Sequence, residues 1–177
     1  TLFDYDLALD LYSFSSIWKS RKRTLAGKEL ELFTKDVGTA IDLMNLQWIY
    51  RAKKYYNMLP PDIYAIVLPI HYRLKIENFK ALVEAPSVTE FLNVLSGTYY
   101  AKRYNLDGTK TLEQLYKECM IKLYMSDRRN NPYSVASINT YFFQKENEID
   151  KLTAALECIR YDLSKGETLN YIGGVIH

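Results

Sequence analysis

Apolar residues recur along the chain at steps of three and four, and no run alternates polar and apolar positions over several residues, so the pattern predicts helices and gives strands little support. The longest periodic stretch carries Leu30, Phe33, Val37, Ile41, Met44 and Trp48 on one stripe, continued by Ala52 and Tyr55. It reads as one helix of about thirty residues ending at Tyr56, with Gly38 as its only weak point. Asp42, Asn45 and Gln47 read as lying largely off the stripe. Upstream, Leu7, Leu11, Phe14 and Trp18 predict a helix over 4–23, and the break at Ala26-Gly27 folds the two into an antiparallel hairpin spanning 4–57.

Short elements follow. Pro60-Pro61 stops the long helix and opens a short one over 62–67, which Pro69 ends. Ile76, Phe79, Leu82 and Val83 predict a helix over 74–83. Ser87-Val88-Thr89-Glu90 has the form of a capping box at the head of a helix that buries Phe91, Leu92, Val94 and Leu95. Residues 97–110 read as a loop around Asn105-Leu106-Asp107-Gly108. Thr111 then caps a helix reaching about Asp127, and Asn131-Pro132 caps the last long helix, which runs to about Asp162 through Ile138, Phe142, Ile149, Leu152, Leu156 and Ile159. Residues 164–167 repeat the capping signature for a terminal short helix that Gly173-Gly174 ends.

The stretch TAIDLMNLQWIYRAKKYY over 39–56 has a partial echo in ENEIDKLTAALECIRYDLSKGETLNYI from Glu146. After each copy a long helix gives way to a short one. The chain therefore reads as two related repeats. Residues 1–105 hold the long hairpin and the short helices of 60–97, and residues 106–177 hold a second, partial repeat. The start at Thr1, inside an amphipathic pattern, suggests a fragment of a larger protein.

With 177 residues and 48% hydrophobic content the chain can bury a substantial core, and seven Gly and five Pro are too few for a low-complexity protein. A formal charge of +2 does not by itself argue for a polyanion partner. The basic runs Lys19 to Arg23 and Arg128-Arg129 stand in last turns, where cations complement the helix dipole; the competing reading is nucleic-acid or lipid contact. Cys119 and Cys158 form no CxxC pair and suit buried thiols in a reducing compartment. No stretch of eighteen apolar residues and no secretion signal is present.

Catalytic raw material is sparse. His71 and His177 are the only histidines, and the phosphate-loop, GxSxG, HExxH and Rossmann patterns are all missing. Glu146, Glu148 and Asp150 with Lys145 and Lys151 read as a solvated helix face. The sixteen Tyr fit a bundle that bridges core and water, with base stacking as the competing use. The residues thus predict no active site, no metal and no cofactor. They point to a binding scaffold.

Three segments carry a family resemblance. AIDLMNLQWIYRAKKYYNMLPPDI, SVTEFLNVLSGTYY and YFFQKENEIDKLTAALECIRYDLSKGETLNYI follow one another as in the C/d-subunit family of V-type (V/A-type) ATPases and ATP synthases, over about the C-terminal half of a member. Lys151-Leu152-Thr153 stands where that family usually has Asn-Leu-Arg. The resemblance implies an all-α funnel of three related domains, of which this chain holds about two. It also implies a non-catalytic, cytoplasmic subunit, peripheral at the membrane, whose partners are the central-stalk (axle) subunits and the membrane proteolipid ring of a proton- or sodium-transporting ATPase.

On that reading Arg51, Lys53, Lys54 and Tyr56 at the end of the long helix, with Arg160 at its echo, are the candidate contact residues. The alternative for the cations is neutralisation of helix C-termini. The alternative for the chain is a helical nucleic-acid-binding or scaffold module.

Overall fold

The computed structural model describes residues 2–104 and 111–172, and among them every regular element is a helix. In chain order these are α1 (Leu2–Thr24), α2 (Gly27–Tyr56), α3 (Pro60–Ile66), α4 (Ile76–Glu84), α5 (Val88–Ser96), α6 (Tyr99–Tyr104), α7 (Leu112–Asn130), α8 (Val135–Arg160) and α9 (Lys165–Tyr171).

The thirty residues of α2 form the axis of the bundle. Helix α1 turns back along it, setting Leu11, Phe14 and Trp18 against Val37, Ile41, Leu68 and Ile70. Helix α7 runs antiparallel to α2: Lys35 bonds Asp127 near one end, and Gln47 donates to the Leu112 carbonyl near the other. Helix α8 starts alongside the head of α2, where Glu29 accepts from the Val135 amide at 2.7 Å and Asp36 accepts from Asn139 at 2.8 Å. The larger core cluster joins Leu43, Leu46 and Ile49 of α2 to Ile63, Leu82 and Phe91, and also to Leu115, Cys119 and Met120 of α7.

Because neighbours surround it, α2 is buried well beyond a single stripe, and this corrects the expectation for its polar residues. Asp36, Asp42 and Asn45 have no solvent exposure, whereas Tyr55 is exposed and Met44 and Trp48 are half-buried. Asn45 and Asp42 are answered in full by backbone groups and another side chain. Asn45 donates to the Leu68 carbonyl at 2.9 Å and accepts from the Leu68 amide at 2.8 Å. Asp42 accepts from the amides of Tyr72, Arg73 and Leu74 at 3.0, 2.6 and 2.9 Å, and from the Tyr100 hydroxyl at 2.8 Å. Burial pushes the Asp42 carboxyl pKa up, and its four donors oppose that shift.

Gly38 completes the arrangement. A Cβ there would stand 2.6 Å from the Tyr72 ring, so only glycine lets the 67–75 segment lie this close to α2. The helix expected over 74–83 starts later, at Ile76, because Asp42 holds the amides up to Leu74 in a non-helical path.

Other boundaries also moved. Residues 99–104 form a helix rather than loop, since Tyr100 is fully buried and tied to Asp42; the Asn105 to Gly108 turn lies outside the described residues, as does Gly173-Gly174. Ser87 caps α5, but Glu90 turns to Asn93 instead of reaching back. Thr111 with Gln114 and Ser164 with Glu167 form complete capping boxes. Helix α8 is capped by Ser134, not by Asn131, which instead closes α7. Both cysteines are buried free thiols, and burial pushes Cys119 up to about 12.

Where α2, α7 and α8 meet, Asp36 Oδ1 and Asp127 Oδ2 are both buried without a donor, and Lys35 bonds only the other Asp127 oxygen, at 2.6 Å. A proton on Asp36, shared toward Asp127, answers both orphaned oxygens. Desolvation, with the Asp127 charge adding to it, raises the Asp36 pKa from 3.8 to about 7. The folded state therefore binds this proton more tightly than the unfolded chain does, so stability falls as pH rises through the window between those values. Asp36→Asn reproduces the protonated shape. It should leave stability near pH 3, below both values, unchanged and raise the urea midpoint at pH 8, flattening the dependence between them; a slope identical to that of the unsubstituted chain would contradict the shared proton.

Candidate functional site

The basic end of α2 owes its form to the way the helix stops. Asn57 adopts a left-handed conformation (φ 47°), and Pro60 opens α3 directly afterwards, so the last turn of α2 stands at a corner. Arg51, Tyr55 and Tyr56 are exposed there. Lys54 is exposed too, donating to the Tyr50 hydroxyl at 3.0 Å with its ammonium 5.2 Å from the Tyr50 and Tyr55 ring centres.

Lys53 points the other way. Its ammonium donates to the carbonyls of Val83 and Ala85, both at 2.6 Å, and so satisfies the C-terminus of α4; burial lowers its pKa. Of the four sequence candidates on α2, Lys53 serves the fold, while Arg51, Lys54 and Tyr56 remain on the surface. Arg160 lies on the last turn of α8, where its guanidinium stands 5.9 Å from the Tyr161 ring centre.

The basic run of α1 is partly explained in the same way. Arg21 lies 3.5 Å over the Trp18 ring and donates to the Trp18 carbonyl, while Lys19 and Arg23 border a shallow cleft with Tyr12, Ser15, Ser16 and Ser20.

Helix α8 departs most from the sequence reading. Its predicted apolar residues Ile138, Phe142, Ile149, Leu152, Leu156 and Ile159 are between 56% and 71% exposed. Its first half packs on α2 and α7 through Asn139, Thr140 and Phe143; beyond it, Cys158 is buried and Ala154 and Ala155 are half-buried. The six apolar residues follow one another by steps of three, four and seven and so share one exposed face of α8, and exposed apolar faces of this length are typical of interaction surfaces. Glu146, Glu148 and Asp150 are exposed as expected, with Lys145 bonded to Glu148 at 2.7 Å.

No catalytic constellation forms among the described residues. His71 packs edge-on against Phe79 at 4.6 Å, and burial lowers its pKa; His177 lies outside the described residues. No group of three metal-ligating side chains occurs, and no helix is long and apolar enough to cross a membrane, among the same residues.

Sequence reasoning missed a basic cleft of about 350 Å³ between α2, α6, α7 and the 67–75 segment, into which Lys35, Arg73, Arg103 and Lys122 converge. These four cations are scattered over 88 positions of sequence, in no motif, and only the fold brings them together.

Comparison with known proteins gives a consistent result. The family described as ATP synthase (C/AC39) subunit matches residues 1–171. The chain is 31% identical over 153 residues to the C subunit of the A-type ATP synthase of Methanobrevibacter smithii, covering 82% of this chain and 39% of that protein. It is 26% identical over 165 residues to the C subunit of the A-type ATP synthase of Methanocaldococcus jannaschii, covering 88% and 40%. The chain thus spans about two-fifths of the length of these curated relatives. No solved structure matches it.

The two neighbouring lysines should separate cleanly on substitution. Lys53→Met, which strands two carbonyls at the end of α4, should cost about 1–2 kcal/mol in urea unfolding. Lys54→Met should leave the midpoint unchanged. Equal effects would contradict the division of roles.

Proposed function

Because the chain belongs to the ATP synthase (C/AC39) subunit family, we propose that it is part of a non-catalytic coupling element of an A/V-type rotary ATPase, linking the central stalk to the membrane ring. The family match along nearly the whole chain carries this reading. The architecture supports it physically. A coupling element must transmit torque without bending, and α2, spanning roughly 45 Å at 1.5 Å per residue, is gripped by neighbours over most of its length.

The protein sits at the membrane through its partners. The exposed end of α2, with Arg51, Lys54 and Tyr56, and the end of α8, with Arg160, are its polar contact points toward the stalk and ring, which orient an encounter. The apolar seam of α8 supports membership in a larger assembly.

The division into repeats at 1–105 and 106–177 belongs to the same proposal. Its support is a similar corner: left-handed Asn57 follows α2 directly, left-handed Asp162 follows α8 after Tyr161, and a short helix starts three positions beyond each of these two residues.

Co-purification tests the reading. The full-length protein should recover central-stalk and ring subunits from detergent extracts, and Lys54→Glu with Tyr56→Ala should lower recovery of at least one of them. Recovery of neither by the unsubstituted protein would overturn the coupling role. Undiminished recovery by the variant would remove the α2 end as a contact.

A further inference from the structure

The cleft between α2, α6 and α7 is unlike the other basic surfaces of the molecule. Four cations arrive here from four separate elements, and only Arg103 among them stands in the last turn of its helix. Lys35 comes from α2, Arg73 from the segment before α4, Arg103 from α6 and Lys122 from α7. Among the described residues the lining contains no carboxylate. Two acids border it: Asp127 bonds Lys35 at 2.6 Å, and Asp42 accepts from the Tyr72 and Arg73 amides. Hydroxyl-bearing side chains, Tyr99 and Ser126 among them, also line it.

Like charges gathered in a concave space repel one another and raise the local potential, so such an arrangement is most stable when an anion fills it. Its volume stands at the small end of ligand pockets, which run from about 300 to 1,000 Å³.

Arg73 is already fixed for such a task. Its amide is held by Asp42 at 2.6 Å, and its guanidinium lies 5.1 Å from the Tyr72 ring centre and 5.6 Å from that of Tyr99. A guanidinium held on two rings loses little freedom on binding and keeps its planar fork for a bidentate partner, and phosphate oxygens match that fork. With Lys35 answered by Asp127, the three cations Arg73, Arg103 and Lys122 still exceed what a single carboxylate needs. They match a group carrying several negative charges in a small volume.

We propose that this cleft binds a group carrying two or more phosphates close together, the chemistry shared by free di- and triphosphates and by a lipid headgroup that carries two phosphates. Arg73 and Arg103 grip the phosphate oxygens, Lys122 closes over them, and Lys35 links the floor of the site to Asp127.

Titration calorimetry on the full-length protein, with inorganic pyrophosphate and tripolyphosphate, tests the site. Vesicle sedimentation, comparing phosphatidylcholine alone with phosphatidylcholine plus cardiolipin, distinguishes the sources. Saturable binding that weakens with added salt is expected, with each lost contact costing about tenfold in affinity. Arg103→Gln with Lys122→Gln removes two exposed side chains, so the fold should survive; Arg73→Gln is the second, independent variant.

Loss of pyrophosphate binding in both variants supports a free polyphosphate. Loss of cardiolipin-dependent sedimentation in both supports the headgroup. Lys19→Gln with Lys22→Gln on α1 should leave either signal intact. Absence of binding to every probe, or binding equal in the cleft variants and the unsubstituted protein, would overturn the proposal.

Discussion

Backbone amides and carbonyls that leave water without joining a helix must find partners, and in this molecule the segment 67–75 finds them on α2. It carries Val67, Leu68, Ile70 and Leu74 into the core, so its backbone is drawn inward with them. Asn45 takes both polar groups of Leu68, and the Asp42 carboxylate takes three consecutive amides. Without these two side chains the segment would bury a row of unpaired groups, each costing about 1–3 kcal/mol. The rest of the packing follows from that attachment. Tyr72 settles against Gly38, Tyr100 reaches the same carboxylate from α6, and Arg73 is aimed at the cleft.

This constraint also explains which parts of the fold were legible in the sequence. Helices read well because apolar spacing and local capping decide them: the α1–α2 hairpin, the Pro60 start of α3, and the Thr111 and Ser164 caps all came from neighbouring residues. Long-range hydrogen bonds have no local signature. Asp42 and Asn45 looked like surface residues between apolar ones, since nothing nearby announces that a non-helical segment will lie over them. The late start of α4 and the helical path of 99–104 escaped for the same reason, both being set by bonds to Asp42 across 30 to 58 positions.

The functional surfaces divide in the same way. Exposure of Lys54 and Tyr56 at the end of α2 could be expected from their place on the helix, but adjacent Lys53 could not be told apart from Lys54 until α4 was seen to end beneath it. The stripe on α8 was correctly periodic, yet periodicity says only that a face is apolar. It does not say what covers the face, and here nothing among the described residues does. The two findings stand together: α2 is enclosed over most of its length, and α8 leaves an apolar face open.

Hydrogen exchange at the 67–75 amides tests the central attachment most directly. If the α2 side chains hold this segment, the amides of Leu68, Tyr72, Arg73 and Leu74 exchange as slowly as those of Leu43 and Leu46 inside α2, although they belong to no helix. Exchange of those four amides at the rates of an open loop, in the unsubstituted protein, would contradict the account.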